Sequence, residues 1–219
     1  MLIVGWMILC MYNAYALEKS TGDRMTQSAK KLEIVTTDLS DHSVLTTPAM
    51  DVTFPLPDEV KTVIKKMREY IISEEHEDGV FTVGLAAPQV GYPLRIFFYQ
   101  IPAALAKKYE IEQVELSLLI NTTYKPTKDS IEEKQWEGCL SVEDKMGEAL
   151  RFSEIKYTGY KEDGSKETKI VSGLLAQIIQ HETDHTYGIL FTDKVPDDGS
   201  LVPINEAKAK KIKNQKIKH

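Results

Sequence analysis

The sequence predicts an α+β domain of mostly antiparallel β-strands packed around a central helix, with a further helix at the C-terminus. Three observations predict it. Residues 173–187 (GLLAQIIQHETDHTY) form a long apolar run with no breaker, the pattern of a largely buried helix. Residues 58–75 carry apolar side chains at helical spacing, the pattern of a second, amphipathic helix. Between these two helices lie short strand-like runs punctuated by turn residues, without the regular strand–helix alternation of a parallel sheet.

Taken in order, residues 1–12 (MLIVGWMILCMY) contain no charged residue, and the first charge is Glu18. The run is too short for a bilayer, which needs about 20 apolar residues. It resembles the apolar core of a secretory signal followed by Ala14-Tyr15-Ala16, although the Lys or Arg expected before such a core is missing. The alternative is a start at Met7, Met11 or Met25. On either reading residues 1–25 are left out of the fold, a single domain is expected over 26–200, and 201–219 form a basic end. In the amphipathic helix, Val60, Val63, Ile64, Met67, Ile71 and Ile72 share a face, with Pro57 just before the acidic start at Asp58. Residues 79–91 read as a loop rich in small residues. Leu94 to Tyr99 and Leu116 to Asn121 read as buried strands. Ile155 to Tyr160 and Glu167 to Val171 flank Glu162-Asp163-Gly164, a hairpin signal. Gly188 stops the buried helix, and a final helix is expected from Asn205.

Composition excludes several classes. With 42% hydrophobic and 27% charged residues the chain is neither disordered nor fibrous. Its net charge of −6 makes it a poor general binder of nucleic acid. Two cysteines, Cys10 and Cys139, are too few for a disulfide framework. Beyond Asn205, six lysines face one glutamate, so the rest of the chain is more acidic than the whole. A basic end on an acidic body is either a solvated helix terminus or a handle for a polyanion such as ribosomal RNA.

The chemistry sits on the buried helix, in His181-Glu182-Thr183-Asp184-His185. Residues four apart on an α-helix differ by about 40° of azimuth, so the two imidazoles point the same way and suit adjacent corners of a tetrahedral metal site. Glu182, about 100° further round, can reach a water at the ion without being a ligand. Asp184 is placed to support a ligand or to join a neighbouring ion pair. Two imidazoles and two carboxylates in an apolar helix are costly without compensation, and a metal supplies it. A third ligand is then needed. Downstream, His219 is the last residue and Glu206 lies in the basic end, so neither suits. Upstream, Cys139 is a better candidate. A lone cysteine is more often a small core residue, but Glu137-Gly138-Cys139-Leu140-Ser141 looks like a loop or strand end where a thiolate can meet a metal.

Three segments, in this order, resemble the motifs of the peptide deformylases. They are Gly84-Leu85-Ala86-Ala87-Pro88-Gln89-Val90-Gly91, then Glu137-Gly138-Cys139-Leu140-Ser141, then Gln180-His181-Glu182-Thr183-Asp184-His185. The likeness runs from about Lys31 to Val195 and takes in Ile120-Asn121, Arg151 and Phe191-Thr192-Asp193. It implies a metal-dependent deformylase domain over 26–200 that removes the formyl group from the N-terminal formylmethionine of newly made polypeptides. Position by position, it implies that Cys139, His181 and His185 hold one divalent ion, commonly Fe2+, with Zn2+, Ni2+ or Co2+ able to replace it. Glu182 is the implied acid/base, and Gln89 and the backbone N–H of Leu140 face the carbonyl oxygen. Gly84 lets the backbone approach a peptide closely, and Val83, Gly84, Glu137, Leu174 and Ile178 belong to the implied substrate pocket. In that chemistry a water activated at the ion attacks the formyl carbon, Glu182 takes its proton, and the amine leaves with it. The implied partners are N-formylmethionyl peptides and, through the basic end, the ribosome, with no membrane span and no sequence-specific nucleic acid. Such an enzyme is expected in the cytoplasm, against the alternative of export through residues 1–16.

Four positions depart from the family pattern. Thr82 stands where a glycine is usual, Glu143 where proline is common, Thr186 in place of leucine, and Gln177 in place of a frequent arginine. None removes a ligand or the acid/base, so they bear on substrate range and rate.

Overall fold

A computed structural model describes residues 32–73, 82–198 and 200–204. The expected leader, the tail helix and the basic end lie outside the described residues, apart from 201–204. The elements are α1 (Ser43–Thr46), α2 (Asp58–Ser73), β1 (Gly84–Ala86), β2 (Ile96–Ile101), α3 (Ala103–Tyr109), β3 (Val114–Pro126), β4 (Glu132–Cys139), β5 (Val142–Phe152), β6 (Glu154–Tyr160), β7 (Lys166–Ser172), α4 (Gly173–Thr186) and β8 (Val202–Pro203). Short 3-10 turns follow β1 at Ala87–Val90 and α4 at Phe191–Lys194. Every pairing between these strands is antiparallel. One sheet has five strands in the order β1-β2-β3-β6-β7, and a second has three in the order β4-β5-β8.

The alternation of β2 explains why it is aliphatic or aromatic at every position but Gln100. Phe97, Tyr99 and Ile101 pack on one side with Leu174, Ile178 and Ile179 of α4. Ile96 and Phe98 pack on the other with Val60, Val63, Ile64, Met67 and Ile71 of α2. Successive strand residues face opposite ways, so a strand covered on both faces needs no polar position. Burying each such side chain is worth about 1.5–3 kcal/mol, which fixes α2 and α4 on opposite faces of the five-stranded sheet.

From Ala176 to Thr186 α4 is buried on every side, including its polar residues. Two devices set its position. Gln180 clasps β5, its carbonyl accepting the Phe152 N–H (2.9 Å) and its amide donating to the Phe152 carbonyl (2.9 Å). At the other end Gly188 has φ +71°, and a β-carbon there would sit 2.7 Å from the Thr46 backbone, so only glycine fits.

The structure differs from expectation in three places. Residues 79–91 were expected to be loop, yet Gly84–Ala86 is an edge strand and Ala87–Val90 a 3-10 turn, because small residues let the chain lie close against α4 and β2. The expected strands at 94–99 and 116–121 are longer or shifted, at 96–101 and 114–126. The β4–β5 hairpin and α3 were not expected at all. β4 (EEKQWEGC) and β5 (VEDKMGEALRF) are rich in charged residues, which hides their period.

Candidate metal centre and active site

Cys139 is the last residue of β4, and the pairing register with β5 breaks between Glu137 and Cys139. A break of this kind redirects side chains, and here it turns the Cys139 sulfur towards α4. Cys139 Sγ lies 3.2 Å from His185 Nε2, which lies 3.2 Å from His181 Nε2. One ligand atom from each of the three residues falls within 4.8 Å of the others. A tetrahedral ion with bonds of about 2.3 Å to sulfur and about 2.0–2.1 Å to nitrogen sets its ligand atoms roughly 3.3–3.6 Å apart. The sulfur, the two imidazoles and their spacing therefore fit such an ion.

The groups behind the ligands set their state. His181 Nδ1–H donates to Glu137 Oε2 (2.9 Å), which leaves Nε2 facing the site. Burial disfavours a charged His181, but hydrogen bonding to the Cys139 sulfur and the Glu137 carboxylate outweighs it and raises its pKa well above the ordinary value. Burial, helped by the charges on His181 and Arg151, pushes His185 well below its ordinary value and keeps that ring neutral. The sulfur also accepts from Gln89 Nε2 (3.4 Å) and the Ser141 N–H (3.4 Å). Gln89 is held in that orientation because its Oε1 accepts the Ala86 N–H (2.8 Å).

Glu182 is buried, and burial pushes its carboxyl up to about 7. Among the described residues its Oε2 has no hydrogen-bond partner. It faces Gly84 so closely that a β-carbon on that glycine would lie 2.1 Å from Oε1. A small cavity is lined by Val83, Gly84, Gln89, Gly138, Cys139, Leu140, Ile178, His181 and Glu182. The structure therefore brings together every site residue expected from the sequence except two, with His185 joining through the ligand triad and not through the cavity lining. Glu137 is not in the cavity: it is wholly buried behind His181, because its carboxylate is gripped by Arg151 (Nε–Oε1 and Nη2–Oε2 both 2.8 Å). Leu174 is also absent from the lining, since it lies a full turn before Ile178 and packs in the core between α4 and the sheet.

Arg151 is the residue that residue-level reading missed. It is 1% exposed, and its Nη1 donates to Asp184 Oδ2 (2.5 Å), so Asp184 is an ion-pair partner whose link to the ligands runs through Arg151 and Glu137. The available signal was an arginine between Leu150 and Phe152, in step with buried Ala149, where a strand cannot hold a cation without an acidic partner. Phe191 stacks on the His181 ring at 6.4 Å. Of the four departures, Gln177 donates to the Trp136 carbonyl (3.1 Å) and to Glu137 Oε1 (3.2 Å). The Thr186 hydroxyl donates to the Thr183 carbonyl (2.7 Å), and neither Thr82 nor Glu143 is among the residues lining the cavity.

Comparison with known proteins places the chain among relatives of one family. The peptide deformylase 1 of Prochlorococcus marinus is 39% identical over 118 residues, 54% of this chain and 61% of that protein. The chain thus spans less than two thirds of the length of that relative. The peptide deformylase 2 of Rickettsia conorii is 33% identical over 168 residues, 75% of this chain and 80% of that one. Among solved structures, a peptide deformylase from Synechococcus elongatus in complex with actinonin is 28% identical with a TM-score of 0.60, over 87% of this chain and 93% of that one. A family model described as polypeptide deformylase matches residues 32–200, and the chain belongs to that family.

Proposed function

We propose that this chain is a metal-dependent amide hydrolase that removes the formyl group from the N-terminal formylmethionine of newly made polypeptides and releases formate. The observation that carries the reading is the convergence of Cys139, His181 and His185, two of which line one cavity together with Glu182. A divalent ion held by these three, Fe2+ first and Zn2+, Ni2+ or Co2+ as alternatives, supplies the Lewis acidity that polarises the formyl carbonyl and acidifies a water. Glu182 accepts the proton of the attacking water and passes it to the departing amine. Burial favours the protonated carboxyl, which suits the donating half of that cycle.

Gln89 spends its carbonyl on Ala86, so only its N–H groups point into the cavity, where they can meet the developing oxyanion. The Leu140 N–H is the second donor in this reading. Val83 and Ile178 supply apolar walls for the methionine side chain. Gly84 is required here for room beside Glu182, in addition to any approach of the peptide backbone.

Iron-loaded protein is expected to release formate from formyl-Met-Ala-Ser. Glu182→Ala should lower the rate by about 10²- to 10⁴-fold, the usual worth of a positioned acid/base. Absence of turnover in fully loaded wild-type protein would overturn the reading. Actinonin, the compound in the Synechococcus elongatus structure, is expected to compete with that peptide. Newly made formylated chains place the reaction in the cytoplasm. The lysines beyond Asn205 are assigned to ribosome docking, so deleting residues 206–219 should weaken co-sedimentation with ribosomes while sparing peptide turnover.

A further inference from the structure

Behind the three ligand atoms runs a continuous chain of buried polar contacts that ends at a residue far from them in sequence. His181 Nδ1–H donates to Glu137 Oε2 (2.9 Å), and Arg151 grips both oxygens of Glu137 at 2.8 Å. The remaining arm of Arg151 donates to Asp184 Oδ2, while the hydroxyl of Tyr124 on β3 donates to Asp184 Oδ1 (2.8 Å). Asp184 is thus held from two directions, one donor on each oxygen.

We propose that Tyr124 is a positioning residue for the metal ligand His181, acting through Asp184, Arg151 and Glu137. Without its hydroxyl, Oδ1 of a buried carboxylate loses its donor, and the remaining strong donor within reach is the Arg151 guanidinium. Asp184 turning towards Arg151 draws the guanidinium away from Glu137, and the Glu137 carboxylate then holds His181 Nδ1 less firmly. The orientation of an imidazole ligand depends on what its second nitrogen is bonded to, so the effect ends at the ion. The charges support the same chain. Glu137, Arg151 and Asp184 together carry one net negative charge in the protein interior, opposite in sign to a divalent ion bound by one thiolate.

This inference rests on the metal-centre reading above, and the test separates the two. Tyr157 is the direct cross-strand partner of Tyr124 on the same sheet face, and its hydroxyl also donates to a carboxylate, Glu167 Oε1 (2.6 Å), but among the described residues Glu167 has no hydrogen bond or ion pair that leads to the ligands. Tyr157→Phe is therefore the matched control. Zn2+ alone is titrated into the full chain against a chromophoric chelator, for wild type, Tyr124→Phe and Tyr157→Phe, with urea midpoints recorded for all three. Replacing a group that touches a ligand typically costs roughly 10- to 100-fold in affinity, so Tyr124→Phe, further removed, should bind about threefold to tenfold more weakly. Tyr157→Phe should bind as wild type does, even where its urea midpoint falls as far. Wild-type affinity in Tyr124→Phe, or equal losses in both variants, overturns the role of Tyr124. Failure of the unchanged protein to bind Zn2+ overturns the metal-centre reading itself, and the role of Tyr124 with it.

Discussion

Gly84 and Glu182 are in contact across the cavity, with no room for a single additional carbon between them. A β-carbon at residue 84 would stand 2.1 Å from Glu182 Oε1 and 2.6 Å from its carboxyl carbon. Gly84→Ala is therefore expected to displace the acid/base and lower turnover of a formylated peptide by about 100-fold or more. Metal content should be unchanged, because the three atoms nearest the new methyl all belong to Glu182, which is not a ligand. Steady-state kinetics beside metal analysis checks both halves, and near-normal turnover would show that Glu182 tolerates the shift.

Arg151 balances two buried carboxylates at once. Arg151→Met removes the cation and leaves Glu137 and Asp184 uncompensated in a dry interior. Breaking one side of a buried ion pair typically costs about 3–5 kcal/mol, and urea unfolding should show a loss of at least that size. A smaller loss would mean that water reaches the pair.

Removing the ion should loosen the fold as well as stop the reaction. The ligands come from β4 and α4, two elements otherwise joined by Gln177 to Trp136 and Glu137, by His181 to Glu137, and through Arg151, which bonds Glu137 and Asp184. Ligand binding to the folded state alone adds about 2.7 kcal/mol when the free ion stands at 100 times its dissociation constant. Chelation is expected to lower the melting temperature, and Cys139→Ser should abolish both the ion-dependent increment and tight ion retention. Equal melting temperatures with and without chelator would contradict this.

The β6–β7 hairpin carries an acid-sensitive contact of its own. Burial works against ionisation of Glu167, but donation from Tyr157 and Lys169 outweighs it and lowers the pKa below the ordinary 4.5. A carboxylate depressed on folding contributes stability above its unfolded pKa and loses it as pH falls through the folded value. Stability should therefore drop below about pH 4.5. In Glu167→Gln part of that drop should be missing, and denaturant titrations from pH 6 to pH 3 would reveal a superimposable profile if the contact is idle.

The hairpin Ile155–Tyr160/Glu167–Val171, the amphipathic α2 and the apolar α4 were legible because each has a local period or turn that survives without context. β4 and β5 were not, because their order comes from pairing with each other and runs of charged residues, Glu132 to Lys134 and Glu143 to Lys145, break any alternation. The two histidines and Glu182 could be placed relative to one another from helix geometry alone, since four residues nearly close one turn.

Much else depended on distance through space. Sequence alone determined which side chains could bind a cation and which could carry a proton, and it set His181 and His185 on one face with Glu182 about 100° round from His181. Only the tertiary structure decided that the Cys139 sulfur meets them, that Glu137 turns to His181 and Arg151 and away from the cavity, and that Tyr124 ends on Asp184. The reason is that helix periodicity is local, whereas a break in strand register and the pairing of buried charges are satisfied only once β3, β4, β5 and α4 are packed together.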